Sequence, residues 1–187
     1  MQSLETAARI NHSADIGDQL EKIAFNALPA QFTKDLKHHT YYTLPNQVVS
    51  VPGSHGFNQD YASGIVPSPY SGYPCCRYNM HMGWPYFVKN SWAATPDGGL
   101  AVIAYGPMEV SAIVAEQMPV KIDLATNYPF EEEIRLTVNL NKPASFPLKL
   151  RIPAWCKNPS VTVNGKSMSG VKAGTQFVIN QAWSDKD

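Results

Sequence analysis

Apolar positions in the first 28 residues recur at helical spacing. In SADIGDQLEKIAFNAL (13–28) the residues Ile16, Leu20, Ile23, Ala24, Ala27 and Leu28 trace a single helical face. Ser13 or Asp15 stands where a cap is expected, and Pro29 marks the end. A shorter amphipathic stretch, SLETAARI (3–10), precedes it across Asn-His-Ser, so the two read as an antiparallel helical hairpin.

The pattern then dissolves. Between 29 and 78 the chain is punctuated by Pro29, Pro45, Pro52, Pro67, Pro69 and Pro74, with Gly53, Gly56, Gly64 and Gly72 between them. Tyr41, Tyr42, Phe57, Tyr61, Tyr70 and Tyr73 argue for an ordered, wrapped loop, with one short strand at 47–51. Residues 79–93 return to helical spacing. Asn79 is placed as an N-cap, and Trp84, Phe87, Val88 and Trp92 fall on one side. Pro85 either kinks this helix or marks its true first turn.

After TPDGG (95–99) the period changes to two. LAVIAY, VSAIVA, VKIDLATNY, EIRLTVNL, LKLRIP, SVTVNG and TQFVIN are short runs rich in β-branched residues, and Ile134, Leu136, Val138 and Leu140 alternate toward one face. Asn164-Gly165 suits both left-handed positions of a tight hairpin. Evenly spaced strands with turn signals predict an antiparallel β-sandwich. The grammar changes near residue 94, with helices and a long loop before it and strands after it. Met1 leads directly into a helical pattern and the chain stops after a strand at NQAWSDKD, so it reads as a piece of a larger protein.

Composition narrows the classes. The 187 residues are 44% hydrophobic and 16% charged, a globular profile. Lys+Arg and Asp+Glu balance at 15 each with no basic run, which gives no footprint for nucleic acid or an anionic membrane. No apolar stretch is long enough to span a bilayer, and no segment has the layout of a signal peptide. P-loop, dinucleotide-binding and Gly-x-Ser-x-Gly motifs are absent.

The unusual chemistry is Cys75-Cys76 in YPCCRYNMHMGW (73–84), two of only three cysteines. An adjacent pair admits three readings: small packing residues, a strained vicinal disulfide, or a metal or nucleophile site. For the last, the thiolate is the reactive form, and positive charge beside it, including a helix N-terminus, favours that form. Two neighbouring thiolates can reach one Zn²⁺, although structural zinc sites usually space their ligands by two or more residues. His81 and Tyr73 are the candidates for substrate contact. Asn79 is better explained as a cap, and Arg77 either holds a carboxylate or is solvated. His38 and His39 read as solvent-facing, His55 lies in a turn-like stretch, Cys156 reads as buried packing, and Phe-Glu-Glu-Glu (130–133) as a solvated turn.

SLETAARI…LEKIAFNALPAQFT, GYPCCRYNMHMGWPYFVKNSWAATPDGGLAVIAYGP and FPLKLRIPAWC…VTVNG resemble the glycoside hydrolase family 127 proteins, the β-L-arabinofuranosidase-like family. The likeness runs through nearly the whole chain, and GYPCC-x-x-NMH-x-GWP is its most specific part. It implies an α+β multidomain architecture. Residues 1–94 would be the end of an (α/α)₆ barrel, and 95–187 the start of the β-sandwich region. It implies a retaining glycosidase for an arabinose-containing glycan, with Cys75 as nucleophile and with Cys75 and Cys76 as zinc ligands. The remaining ligands come from a Glu-x-Cys motif upstream of the SLE helix, and the acid/base glutamate from the same region. This chain contains no Glu-x-Cys, so it is expected to bind zinc weakly and to hydrolyse nothing by itself. Two rival readings make different predictions: a non-catalytic carbohydrate-binding or scaffold piece, and a thiol redox protein.

Overall fold

The computed structural model describes residues 1–11, 13–41, 43, 48–52, 64–70 and 74–187; for Pro74, Cys76, Arg77 and Glu116 the description stops at the backbone. The chain divides into two units, residues 1–21 with 88–187, and residues 22–87. The described residues form a mixed α+β structure whose sheets are mostly antiparallel.

The first unit opens with helices α1 (Gln2–Asn11) and α2 (Ala14–Lys22). Ser13 precedes α2 as expected of a cap, its carbonyl accepting from Gly17 N and its hydroxyl turned to the Asp15 carboxylate. The buried side of this segment is Ala14, Gly17, Leu20, Glu21 and, continuing past the helix, Ala24 and Leu28. Ala27, expected on that face, is exposed, because the turn Ile23–Ala27 is a π-helix and shifts the residues after it around the axis.

Among the described residues nine strands follow: β1 (Trp92–Ala94), β2 (Leu100–Val102), β3 (Met108–Val114), β4 (Met118–Thr126), β5 (Ile134–Leu140), β6 (Ala144–Ile152), β7 (Thr162–Val163), β8 (Lys166–Ser167) and β9 (Thr175–Trp183). They form sheets of order β1-β2-β6-β9, β3-β4-β5 and β7-β8. The middle sheet keeps the period-two pattern. Val120, Ile122 and Leu124 on β4 register against Leu140, Val138 and Leu136 on β5, and Val120, Ile122, Val138 and Leu140 are nearly or fully buried. Its other face carries Glu109, Lys121, Asp123 and Asn139, tied by a Lys121–Glu109 ion pair of 2.7 Å and a hydrogen bond from Asn139 to Asp123 of 2.9 Å. The Asn164-Gly165 hairpin forms as expected, with φ of 51° and 77° at its two central residues.

Two features depart from the alternating pattern. LAVIAY is a strand only as far as Val102. Beyond it, the amides of Ile103 and Ala104 both donate to the Ser91 carbonyl, and Tyr105 N donates to the Glu21 carboxylate, so the backbone leaves the ladder. And β2 pairs with β6 in parallel, which no hairpin can produce.

The second unit packs Phe25 against Trp84 and Phe87, with ring centroids 6.4 and 5.4 Å away. The helix expected over 79–93 is two: α3 (Pro74–Met80), a turn at 81–82, and α4 (Gly83–Lys89). Pro85 is the third residue of α4, in the first turn, where a missing N–H leaves no helical bond unmade. Trp92 lies on β1 instead of the helix, and Val88 is exposed. Of the expected strand at 47–51, residues 48–51 form none, and Gln47 lies outside the described residues. His39 is buried, contrary to the solvent-facing expectation. Its backbone exchanges hydrogen bonds with Ser68 and bridges Phe32, which draws it inward.

Candidate functional site

Cys75 lies in the first turn of α3 and is exposed. The helix begins at Pro74, a residue suited to a first helical turn, which puts the cysteine pair inside the helix instead of before it. Asn79 is therefore no N-cap. Its side-chain amide donates back to the Cys75 carbonyl at 2.8 Å, one helical turn away. His81 is exposed in the turn after α3. The side chains of Cys76 and Arg77, and the whole of Tyr73 and His55, lie outside the described residues. Among the described residues no group of three or more His, Cys, Asp or Glu side chains is placed to hold a metal ion. Of the two cysteines, Cys75 is the one whose side chain is described. Cys156 is half-buried where full burial was expected; it sits in a turn closed by its own N–H donating to the Pro153 carbonyl. Glu131, Glu132 and Glu133 are exposed, as a solvated turn requires.

A second constellation lies in the first unit. Arg151, at the end of β6, is fully buried. Its guanidinium pairs with Asp18 and Glu21 on α2, and its Nε donates to the Ile103 carbonyl at 2.7 Å. Asp18 and Glu21 are three residues apart, so both carboxylates face the same side of the helix. Glu21 also accepts from Tyr105 N at 2.7 Å and from the Tyr128 hydroxyl, while the Tyr105 hydroxyl donates to the Arg151 carbonyl at 2.6 Å. The Arg151 charge lies 5.3 Å from the Tyr105 ring centre. Burial opposes the guanidinium charge, but the attraction of Glu21, with help from Tyr105 and Asp18, outweighs it and holds the pKa of Arg151 above its usual value. Burial pushes both phenols up, so Tyr105 and Tyr128 remain protonated donors.

This constellation is hidden in the sequence. In Leu-Lys-Leu-Arg-Ile strict alternation assigns Lys149 and Arg151 to solvent. Lys149 keeps a partly exposed position and pairs with Asp97 at 2.7 Å, whereas Arg151 is covered by α2. The available signal is the Asp18/Glu21 spacing on the otherwise apolar face of α2.

The match with a family model falls on the strand half. Residues 99–187 match the family model described as "Beta-L-arabinofuranosidase, GH127 middle domain". Through this segment the chain is similar to the GH127 family. The fold of this chain is similar to a solved structure described as "Glycoside hydrolase", with a TM-score of 0.78, 23% identity and 96% of this chain covered. It is also similar to Ara127N-Se, a GH127 β-L-arabinofuranosidase from Geobacillus stearothermophilus T6, with a TM-score of 0.75, 21% identity and 98% covered. The chain spans 29% and 28% of the length of those two proteins. No curated protein matches it.

Proposed function

We propose that this chain is part of a retaining glycoside hydrolase that acts on β-L-arabinofuranosides within an arabinose-containing glycan, with Cys75 as the nucleophile. The observation that carries the reading is the GH127 middle-domain match over 99–187. The exposed position of Cys75 at the start of α3 is compatible with it. In this reading residues 1–94 complete a helical barrel and 95–187 begin a β-sandwich. The Cys75 sulfur bonds to the anomeric carbon while a carboxylic acid from outside this chain protonates the departing oxygen. That group then acts as base, and water releases the sugar with retained configuration. A thiolate in place of the usual carboxylate nucleophile makes this an exception among retaining enzymes. Zn²⁺, which would favour the thiolate form, would be held by Cys75 and Cys76 together with donors from outside this chain.

The test is hydrolysis of an aryl β-L-arabinofuranoside by the longer polypeptide that contains this sequence. Cys75→Ser is expected to lower kcat by about a thousandfold or more, in the range of losing a catalytic nucleophile. Hydrolysis that survives the substitution overturns the assignment of Cys75, and sugar binding that survives it where the parent sequence hydrolyses nothing favours a non-catalytic carbohydrate-binding role.

A further inference from the structure

Trp155 is half-exposed, with 52% of its surface open to solvent, yet its position is fixed from three sides. One face of its indole stacks on the Tyr128 ring at an interplanar angle of 17° and a centroid separation of 6.2 Å. Tyr128 is itself buried, met edge-on by Tyr105 at 6.0 Å and tied through its hydroxyl to Glu21. The backbone amide of Ala154, one residue before the indole, donates to Asp18 at 2.8 Å. The turn closes through Cys156 N and the Pro153 carbonyl at 3.2 Å. Asp18 and Glu21 are the two carboxylates on Arg151, so a single buried ionic cluster anchors both the backbone of the Trp155 turn and the ring beneath the indole.

Buried ion pairs are poor sources of stability, because desolvation consumes much of their attraction. This cluster does something that an apolar core would not: it holds an indole at the surface in one orientation. An aromatic ring with two torsions, already immobilised, loses little entropy when a flat partner settles on it. The residues along the turn point to the partner. Between 153 and 160 Trp155 is the single large apolar side chain, flanked by exposed Ala154, Lys157 and Asn158. A protein partner needs a wide apolar patch. A sugar ring presents one small face of C–H groups rimmed by hydroxyls, which suits one aromatic face with polar neighbours.

We propose that Trp155 is a stacking platform for a sugar ring of the glycan, an accessory binding position separate in role from the Cys75 chemistry. It rests on the carbohydrate reading above for the class of ligand. The experiment titrates this 187-residue chain with a linear arabino-oligosaccharide and follows the indole N–H resonances of its four tryptophans. The Trp155 resonance is expected to move saturably, with a Kd in the millimolar range typical of one shallow contact, on the order of −4 kcal/mol. Trp155→Ala should weaken binding at least about tenfold and Trp155→Phe only a few-fold, with thermal melting little changed in both. A Trp155 resonance that stays still at saturating sugar overturns the proposal. So does undiminished binding by Trp155→Ala, or an indole shielded from acrylamide quenching in the longer polypeptide, which would make the ring a contact within the protein. Aryl arabinofuranoside hydrolysis by that polypeptide reports separately on Cys75, so the platform can fail while the catalytic reading stands.

Discussion

Arg151 at the end of β6 and Glu21 on α2 form an ion pair that solvent does not reach, although 130 positions separate them in the chain. The pair fastens a helix from the start of the chain to a sheet built mostly from its second half. Removing one member leaves the other charge buried and uncompensated. Arg151→Met is expected to lower unfolding stability by about 3–5 kcal/mol. Adding Glu21→Gln should recover part of that loss, since the amide oxygen still accepts from Tyr105 N, its NH2 donates to the Tyr128 hydroxyl oxygen, and it carries no charge. Urea unfolding of the four combinations measures the coupling; strictly additive losses would show that the two residues act independently.

Gly17 faces the same cluster. A methyl group added there would lie 2.4 Å from Arg151 Cδ and 2.5 Å from the Ile103 carbonyl oxygen. Helix propensity alone favours alanine over glycine by about 1 kcal/mol. Overpacking of a filled core costs about 1–3 kcal/mol, and the backbone carbonyl cannot swing away as a side chain would. Gly17→Ala is therefore expected to destabilise despite its helical position, seen as a lower urea midpoint with an unchanged slope.

Glu5 on α1 is only 2% exposed, and burial raises its pKa above the usual carboxylate value, partly offset by the amino terminus. The folded state thus holds this proton more tightly than the unfolded chain. The stability contributed by the protonated form is fully present below the unfolded value, and it is lost as pH rises through the folded one. Glu5→Gln keeps an oxygen facing Asn90 Nδ2, which lies 3.5 Å from the carboxylate, and cannot ionise. The variant should gain stability over the parent sequence as pH rises from about 4 toward neutrality. Thermal melts at several pH values check this, and a constant difference would mean that Glu5 titrates normally in the fold. Asp97 has the opposite sign. The hydrogen bond from Lys149, with Thr95, lowers its pKa, so its small contribution appears above the unfolded carboxylate value and fades in acid.

Local patterns of the fold were readable where one face of an element is buried and the other wet. The alternation along 134–140 and the Asn164-Gly165 turn report such short-range constraints, and both appear as expected. What pattern reading missed depends on coverage by distant chain. Arg151 reads as solvent-facing until α2 lies over it, and the parallel pairing of β2 with β6 joins strands more than 40 residues apart. The start of α3 at Pro74, ahead of the cysteine pair, is concealed when Asn79 is read as a cap. The cysteine pair was conspicuous from the start because adjacent cysteines in so cysteine-poor a chain ask for a reason. Its partners were not, since no local pattern supplies ligands that are distant in sequence.

Metal binding separates the rival accounts of Cys75 and Cys76. Tight zinc sites close four donors around the ion, and a site with fewer loses affinity steeply because each absent thiolate or imidazole is replaced by water. Among the described residues, which leave out the Cys76 side chain, no group of three or more His, Cys, Asp or Glu is placed to hold a metal ion. This chain, dialysed against a weak chelator, is therefore expected to retain substoichiometric zinc by elemental analysis. The longer polypeptide should retain one equivalent and lose it on Cys76→Ser. Thiol titration supplies the contrast: a redox pair would lose two reactive thiols reversibly on mild oxidation without regard to metal, whereas zinc ligands would be shielded from thiol reagents until the metal is stripped. Stoichiometric zinc in this chain alone would overturn the view that the cysteine pair depends on donors from elsewhere.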